Sequence, residues 1–348
     1  MVHLGEISGF GYIGYSGSTL ANEMNRFENI LYVLNGENNH PSVLERVVTL
    51  AENNQARLTF LSILEPVNIG FGMPEDGPIS ADLEAAFIKA KMQKLETSVV
   101  PFRTRINIQT KLRVGTQFLE IIREVLQNGR DLLIKVPETQ DWLNMQFGSE
   151  DMHLLRKCPC PVWIIKSPAP KTYRRILAAV DVGDTHPTAE QGSRDELNRQ
   201  VLELASSLAL SNFSELHIVH AFEAIGENTL HEELPLVYEE AVNTFLQHEK
   251  QKREASLNRL IQRVSNKMGE EAFSYLKPRI HLIKGWARKE IPVLARQLEV
   301  DLIVMGTVAR TGIPGFIIGN SAEAILNQIE CSVLALKPRG FVSPVTLK

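Results

Sequence analysis

The chain of 348 residues has little cysteine. Cys158, Cys160 and Cys331 are too few and too clustered for a disulfide framework, which points to a reducing compartment. Cys158-Pro159-Cys160, with His153 nearby, falls short of the four ligands a structural zinc site takes. The thiols are therefore expected as small, partly buried groups at the mouth of a strand, with no metal. Neither sign of charge dominates. Lys plus Arg number 37 against 41 Asp plus Glu, a formal net charge of -4, which leaves no footprint for a phosphate backbone and sets nucleic acid aside as a partner. No apolar run approaches the roughly 18 residues that span a bilayer, and the amino terminus lacks the basic start of a signal peptide, so a cytoplasmic protein without a membrane span is expected. The patterns GxSxG, HExxH and GxxxxGKS or GxxxxGKT are missing too, so no catalytic motif is named and the chain is not expected to be an enzyme.

What is present is globular: 44% apolar and 22% charged residues. At roughly 150 residues per domain the length suggests two domains. A repeat supports this. Asn29-Ile30-Leu31-Tyr32-Val33-Leu34-Asn35 returns 146 residues later as Arg175-Ile176-Leu177-Ala178-Ala179-Val180-Asp181, and each runs on to a His-Pro pair, His40-Pro41 and His186-Pro187. Gly115 answers Gly285, and Asp131-Leu132-Leu133-Ile134 answers Asp301-Leu302-Ile303-Val304, both 170 residues on. Gly148, Cys160 and Val162-Trp163-Ile164-Ile165-Lys166 answer Gly319, Cys331 and Val333-Leu334-Ala335-Leu336-Lys337 at 171. An offset that only grows marks a duplication whose second copy gained residues in its early connections.

Within each copy, short apolar runs alternate with segments of helical period, the pattern of parallel strands buried on both faces and joined by crossover helices. The fold class is therefore α/β, with two tandem doubly wound sheets of five parallel strands. The strands are expected near 30–34, 58–64, 105–112, 131–136 and 162–166, then 175–180, 216–222, 279–284, 301–305 and 333–337. Long helices are expected near 80–98 and 235–268. Leu44, Val47, Val48 and Ala51 follow Pro41 at helical spacing. Phe118, Ile121, Ile122 and Val125 do the same, with Thr116 placed to cap and Gly129 to stop. Their counterpart holds Ile291, Leu294, Ala295 and Leu298.

The Pro-rich joint at 167–172 separates a first domain at 25–168 from a second at 172–340, with tails at 1–24 and 341–348. Residues 9–14 of the first tail read GFGYIG, a formal dinucleotide fingerprint. Neither a strand before it nor a periodic helix after it supplies the context that motif needs.

The informative stretch is Met305-Gly306-Thr307-Val308-Ala309-Arg310-Thr311-Gly312-Ile313-Pro314-Gly315-Phe316-Ile317-Ile318-Gly319-Asn320-Ser321, which follows an apolar strand and precedes a helix. Glycines let a backbone approach an anion, a helix start offers free N–H groups, and Arg310 adds charge. The stretch resembles the signature of the universal stress protein family: Gly, two residues, Gly, nine residues, Gly, then Ser or Thr. Here Ala309 stands for the second glycine and Asn320 for the hydroxyl residue. The resemblance spans most of residues 25–340 and is closest to tandem, E-type members.

It implies an adenine nucleotide alpha hydrolase-like fold with strand order 3-2-1-4-5, and two copies packed as an internal pseudo-dimer through their last strands. It further implies that Asp181 and the backbone at Val219 or His220 meet adenosine. The phosphate path would run along Met305, Gly306, Thr307, Val308, Ala309, Arg310, Gly312, Gly319, Asn320 and Ser321, with ATP and Mg2+ in the second copy only. The first copy has Asn35, Val136 and Glu138 where the nucleotide would sit. His217 and His220, three apart in one strand, face opposite sides. A regulatory stress-response role is expected, with two alternatives: a carrier of an apolar small molecule or lipid under the segments 66–100 and 223–270, or a weak ATPase. Leu83, Phe87, Ala90 and Met92 in the first of these segments are expected as core.

Overall fold

The structure, a computed structural model, describes residues 27–34, 41–66, 78–137, 147–166, 170, 172–183, 188–223, 239–307 and 318–347. The first half runs β1 (Asn29–Val33), α1 (Pro41–Asn54), β2 (Arg57–Leu64), α2 (Pro78–Val99), β3 (Ile108–Val114), α3 (Gln117–Asn128), β4 (Leu132–Lys135), α4 (Ser149–Lys157) and β5 (Val162–Ile164). The second runs β6 (Arg175–Ala179), α5 (Thr188–Asn212), β7 (Glu215–Phe222), α6 (Glu239–Met268), α7 (Glu270–Leu276), β8 (Arg279–Lys284), α8 (Ala287–Gln297), β9 (Leu302–Gly306), α9 (Asn320–Leu326) and β10 (Ser332–Leu336).

Both halves have the strand order 3-2-1-4-5 with parallel pairing throughout, but they do not form two sheets. One ten-stranded sheet runs β3-β2-β1-β4-β5-β10-β9-β6-β7-β8. Its seam is antiparallel, with Ile164 opposite Val333, Trp163 opposite Leu334 and Val162 opposite Ala335. A short apolar strand left at an edge would offer unpaired N–H and C=O groups to other chains, and here β5 and β10 cover each other.

The sheet is buried on both faces, which explains why its strands read as apolar runs. One face packs under α1, α2, α5 and α6, around Tyr32, Phe60, Trp163, Val201, Leu257 and Val304. The other packs under α3, α4, α8 and α9, around Leu31, Ile121, Leu155, Ile303, Met305 and Ile325. Each core crosses the seam. The repeated Asp has one task in both halves. Asp131 accepts the N–H groups of Glu28 and Asn29, and Asp301 those of Arg174 and Arg175, so each ties the start of its half's first strand to its fourth.

Several local readings change. Gly129 does stop α3, with φ 57° and its N–H on Val125, but Thr116 makes no side-chain cap; Glu150 of α4 instead accepts the Phe118 N–H at 2.8 Å. Strand β3 starts three residues later than expected, because Arg105 belongs to a turn in which its N–H donates to Phe102 and its guanidinium pairs with Glu45 and Glu52 at 2.6 Å. Leu83 and Phe87 are not core: they are 41% and 44% exposed, Ala90 is exposed as well, and only Met92 packs on the sheet. Residues 82–87 of α2 are exposed, and its anchoring residues are Leu95 and Val99. Beyond β10, Val345 packs against the core. The tail at 1–24, with its glycine pattern, lies outside the described residues.

Candidate functional site

In an open α/β sheet a crevice forms where neighbouring strands send their connections to opposite faces. In the second half β6 leads to α5 on one face and β9 leads to α9 on the other, so the crevice opens beyond the ends of β6 and β9.

On the β6 side stands Asp181. Its N–H donates to Asn198 Oδ1 at 2.9 Å and its carbonyl accepts from Asn198 Nδ2 at 2.7 Å, a backbone clamp supplied by a buried amide of α5. Its carboxylate accepts from Gly183 N–H at 3.3 Å and from Arg194 Nη1 at 2.8 Å, and its side chain is 56% exposed. Sequence reasoning missed Arg194 and Asn198. Their signal was present, since residues four apart on the helix after the first strand share the face turned to that strand's end.

On the β9 side, Gly306 is needed for packing. A Cβ there would lie 2.6 Å from Leu197 Cδ2, so the glycine lets α5 close on β9, and the space it leaves is taken by that helix rather than by a ligand. Met305 is buried in the core beneath it. Thr307 is fully buried; its N–H donates to the Leu336 carbonyl at 3.1 Å and its carbonyl accepts the Gly319 N–H at 3.0 Å. The two residues flanking the glycine segment therefore lie side by side. Val308, Ala309, Arg310 and Gly312 lie outside the described residues. Gly319, not Asn320, takes the cap position of α9, with φ -62°, and Asn320 and Ser321 form its exposed first turn.

Val219 does not reach the crevice. It is fully buried three residues short of the end of β7, and its carbonyl accepts the Val180 N–H at 3.0 Å, so it sits within the ladder. The rim there belongs to Ala221 and Phe222. His220 is buried on the other face, its Nδ1 3.1 Å from the Val180 carbonyl, and burial lowers its pKa. His217 lies on the opposite side and meets His281 at 2.9 Å between Nδ1 and Nε2; burial lowers both pKa values as well. His153 stacks on Phe118 at 4.3 Å between ring centroids. Among the described residues no three His, Cys, Asp or Glu side chains gather as metal ligands do; Cys158 and Cys160 touch at 3.5 Å between Sγ atoms.

The first half carries a buried charge pair at the matching place. Lys135 ends β4 and forms a 2.6 Å ion pair with Asp151 in the first turn of α4, both almost wholly buried. Gly148 caps that helix and Val136 is buried, whereas Asn35 and Glu138 lie outside the described residues.

The model of the universal stress protein family matches residues 26–166 and again 172–337. The chain belongs to that family. It is 27% identical over 326 residues to the universal stress protein E homolog of Haemophilus influenzae, covering 90% of this chain and 98% of the relative. It is 32% identical over 234 residues to universal stress protein E of Escherichia coli K12, covering 66% and 68%. Among solved structures, a functionally unknown protein from Pseudomonas aeruginosa PAO1 superposes with TM-score 0.60 at 26% identity, covering 90% of this chain and 93% of that one. A universal stress protein from Archaeoglobus fulgidus shares the fold, with TM-score 0.55 at 16% identity over 90% of this chain and 98% of that one. No helix among the described residues is long and apolar enough to cross a membrane.

Proposed function

We propose that this member of the family is a cytoplasmic regulatory protein that acts by binding, and that its second half holds ATP in the crevice between β6 and β9. The observation that carries the reading is Asp181. A carboxylate fixed from behind by Asn198, half open to solvent at a switch point and paired with Arg194, suits the hydroxyl and amine donors of a nucleoside. The open first turn at Asn320 and Ser321 suits the phosphates. Mg2+ would be held chiefly by those phosphates, with Asp181 the carboxylate at the β6 rim. Calorimetric titration of the full chain with Mg-ATP tests this: the wild type should bind one equivalent, and Gly319→Asp, which sets a carboxylate at the helix start, should abolish binding while Gly148→Asp should not.

A second reading is favoured by one observation. Leu83 and Phe87 on α2, one turn apart, and Phe245 on α6 are exposed on the two long helices, which suits a carrier of an apolar molecule. Native mass spectrometry of the purified chain separates the two by the mass retained, nucleotide or lipid.

A further inference from the structure

Each half ends on an equivalent lysine, Lys166 and Lys337, just past its last strand. Each crosses the seam. Lys166 Nζ donates to the Ile329 carbonyl of the second half at 2.6 Å, and Lys337 Nζ donates to the Leu155 carbonyl of the first. Leu155 lies in the last turn of α4, where carbonyls lack helical partners and the helix dipole favours a cation.

There the reciprocity stops. Lys337 is only 7% exposed and also donates to Thr307 Oγ1 at 2.5 Å, whereas the first half has Pro137 at that position and no hydroxyl to offer. The Thr307 carbonyl in turn holds the Gly319 N–H. A continuous run of polar contacts therefore leads from a helix end of the first half, through one buried amino group, to both flanks of the glycine segment in the second. A buried amino group has few stable positions besides those where such acceptors receive it, so it fixes the groups it touches.

We infer that Lys337 is a positioning residue through which the first half sets the base of the second half's glycine loop. The inference rests on the reading of that loop as a nucleotide site, but the Gly319 to Thr307 hydrogen bond can be followed without nucleotide. In the full chain, amide hydrogen exchange at Gly319 should speed up about tenfold in Lys337→Met and in Thr307→Val, the loss of roughly one buried hydrogen bond. Thr307→Ser, which keeps the hydroxyl, should exchange as the wild type does. Lys166→Met, which cuts the other crossing, should leave Gly319 unchanged.

Titration with Mg-ATP should show the same order, with dissociation constants raised about fivefold in Lys337→Met and Thr307→Val and restored in Thr307→Ser. If the wild type binds no Mg-ATP while the exchange pattern holds, the nucleotide reading falls and the positioning role stands. Unchanged Gly319 exchange in Thr307→Val, or equal acceleration in Lys166→Met and Lys337→Met, overturns the inference; Thr307→Val serves if Lys337→Met does not fold.

Discussion

The ends of the fourth strands, β4 in the first half and β9 in the second, began as copies and now differ in what neutralises them. In the first half Lys135 and Asp151 meet in the core; in the second, Met305 and Ala322 occupy the corresponding places, and the charged groups stand at the rim as Asp181 and Arg194. A helix start attracts negative charge whether it comes from a ligand or from a side chain. Both helices carry a carboxylate in the first turn, but Asp151 of α4 turns inward to Lys135, whereas Glu323 of α9 pairs with Arg156 across the seam and leaves Asn320 and Ser321 exposed. On the proposed reading, the first half sets an internal charge pair where the second would take an exchangeable one.

The largest expected effect tests that account. Asp151→Ala leaves the Lys135 ammonium buried without its carboxylate and should lower the stability of the first half by about 3–5 kcal/mol. Adding Lys135→Met gives the first half the residues the second already has, and should recover most of the loss, because an apolar pair of similar volume replaces a buried ion pair at little cost. Urea denaturation of single and double variants decides. Equal midpoints would mean that packing, not charge, sets the stability at Lys135 and Asp151.

Next in size is the packing of the second half's crevice. Gly306→Ala puts a methyl 2.6 Å from Leu197 Cδ2 and should cost about 1–3 kcal/mol, and the cost of Leu197→Ala should be smaller in the Gly306→Ala chain than in the wild type. If Gly306→Ala is neutral in stability, the glycine is there for a ligand after all, and the packing role given to it is wrong.

A smaller effect concerns pH. Burial lowers the Lys337 pKa from its usual 10.5 to about 7, with the neighbouring Cys158 thiol acting weakly the other way. Between pH 7 and 10.5 the unfolded chain binds a proton that the folded chain has released, so this group makes stability rise with pH; below pH 7 both states are protonated and its contribution is constant. From pH 7 to 8 the wild type should gain about 1 kcal/mol relative to Lys337→Met. Parallel pH curves for the two proteins would show that Lys337 keeps an ordinary pKa.

Much of this was legible in the sequence, and the misses share a cause. The strands fell within about three residues of their places, since runs buried on both faces carry a local signal, and the order within each half followed from the resemblance. The meeting of Val162-Trp163-Ile164 with Val333-Leu334-Ala335 came from the resemblance and not from periodicity, and its antiparallel register, which merges two sheets into one, came from the fold. Leu83 and Phe87 look apolar wherever they point, and only their exposure on α2 shows that they leave the core. Around the crevice, Asp181 came from the motif, but Asn198, Arg194 and Lys337 came from the fold. Val219 was placed too deep because a resemblance fixes a strand and not its rim.

The smallest expected change in stability belongs to Asp181→Asn, which gives the second half the residue found at Asn35. The amide retains an oxygen for the Gly183 N–H, and the clamp from Asn198 acts on the main chain, so neither depends on the carboxylate's charge. What is lost is the pairing with Arg194, and at 56% exposure of the aspartate side chain such a pair contributes at most about 0.5 kcal/mol. The melting temperature should therefore stay within error. Affinity for Mg-ATP should still fall about tenfold, because a neutral amide accepts a donor's hydrogen bond far less strongly than a carboxylate does. The reverse change, Asn35→Asp, should create no binding in the first half, where Asp151 still holds Lys135. Scanning and titration calorimetry on the same preparations give both numbers, and an unchanged affinity in Asp181→Asn would remove this carboxylate from the site.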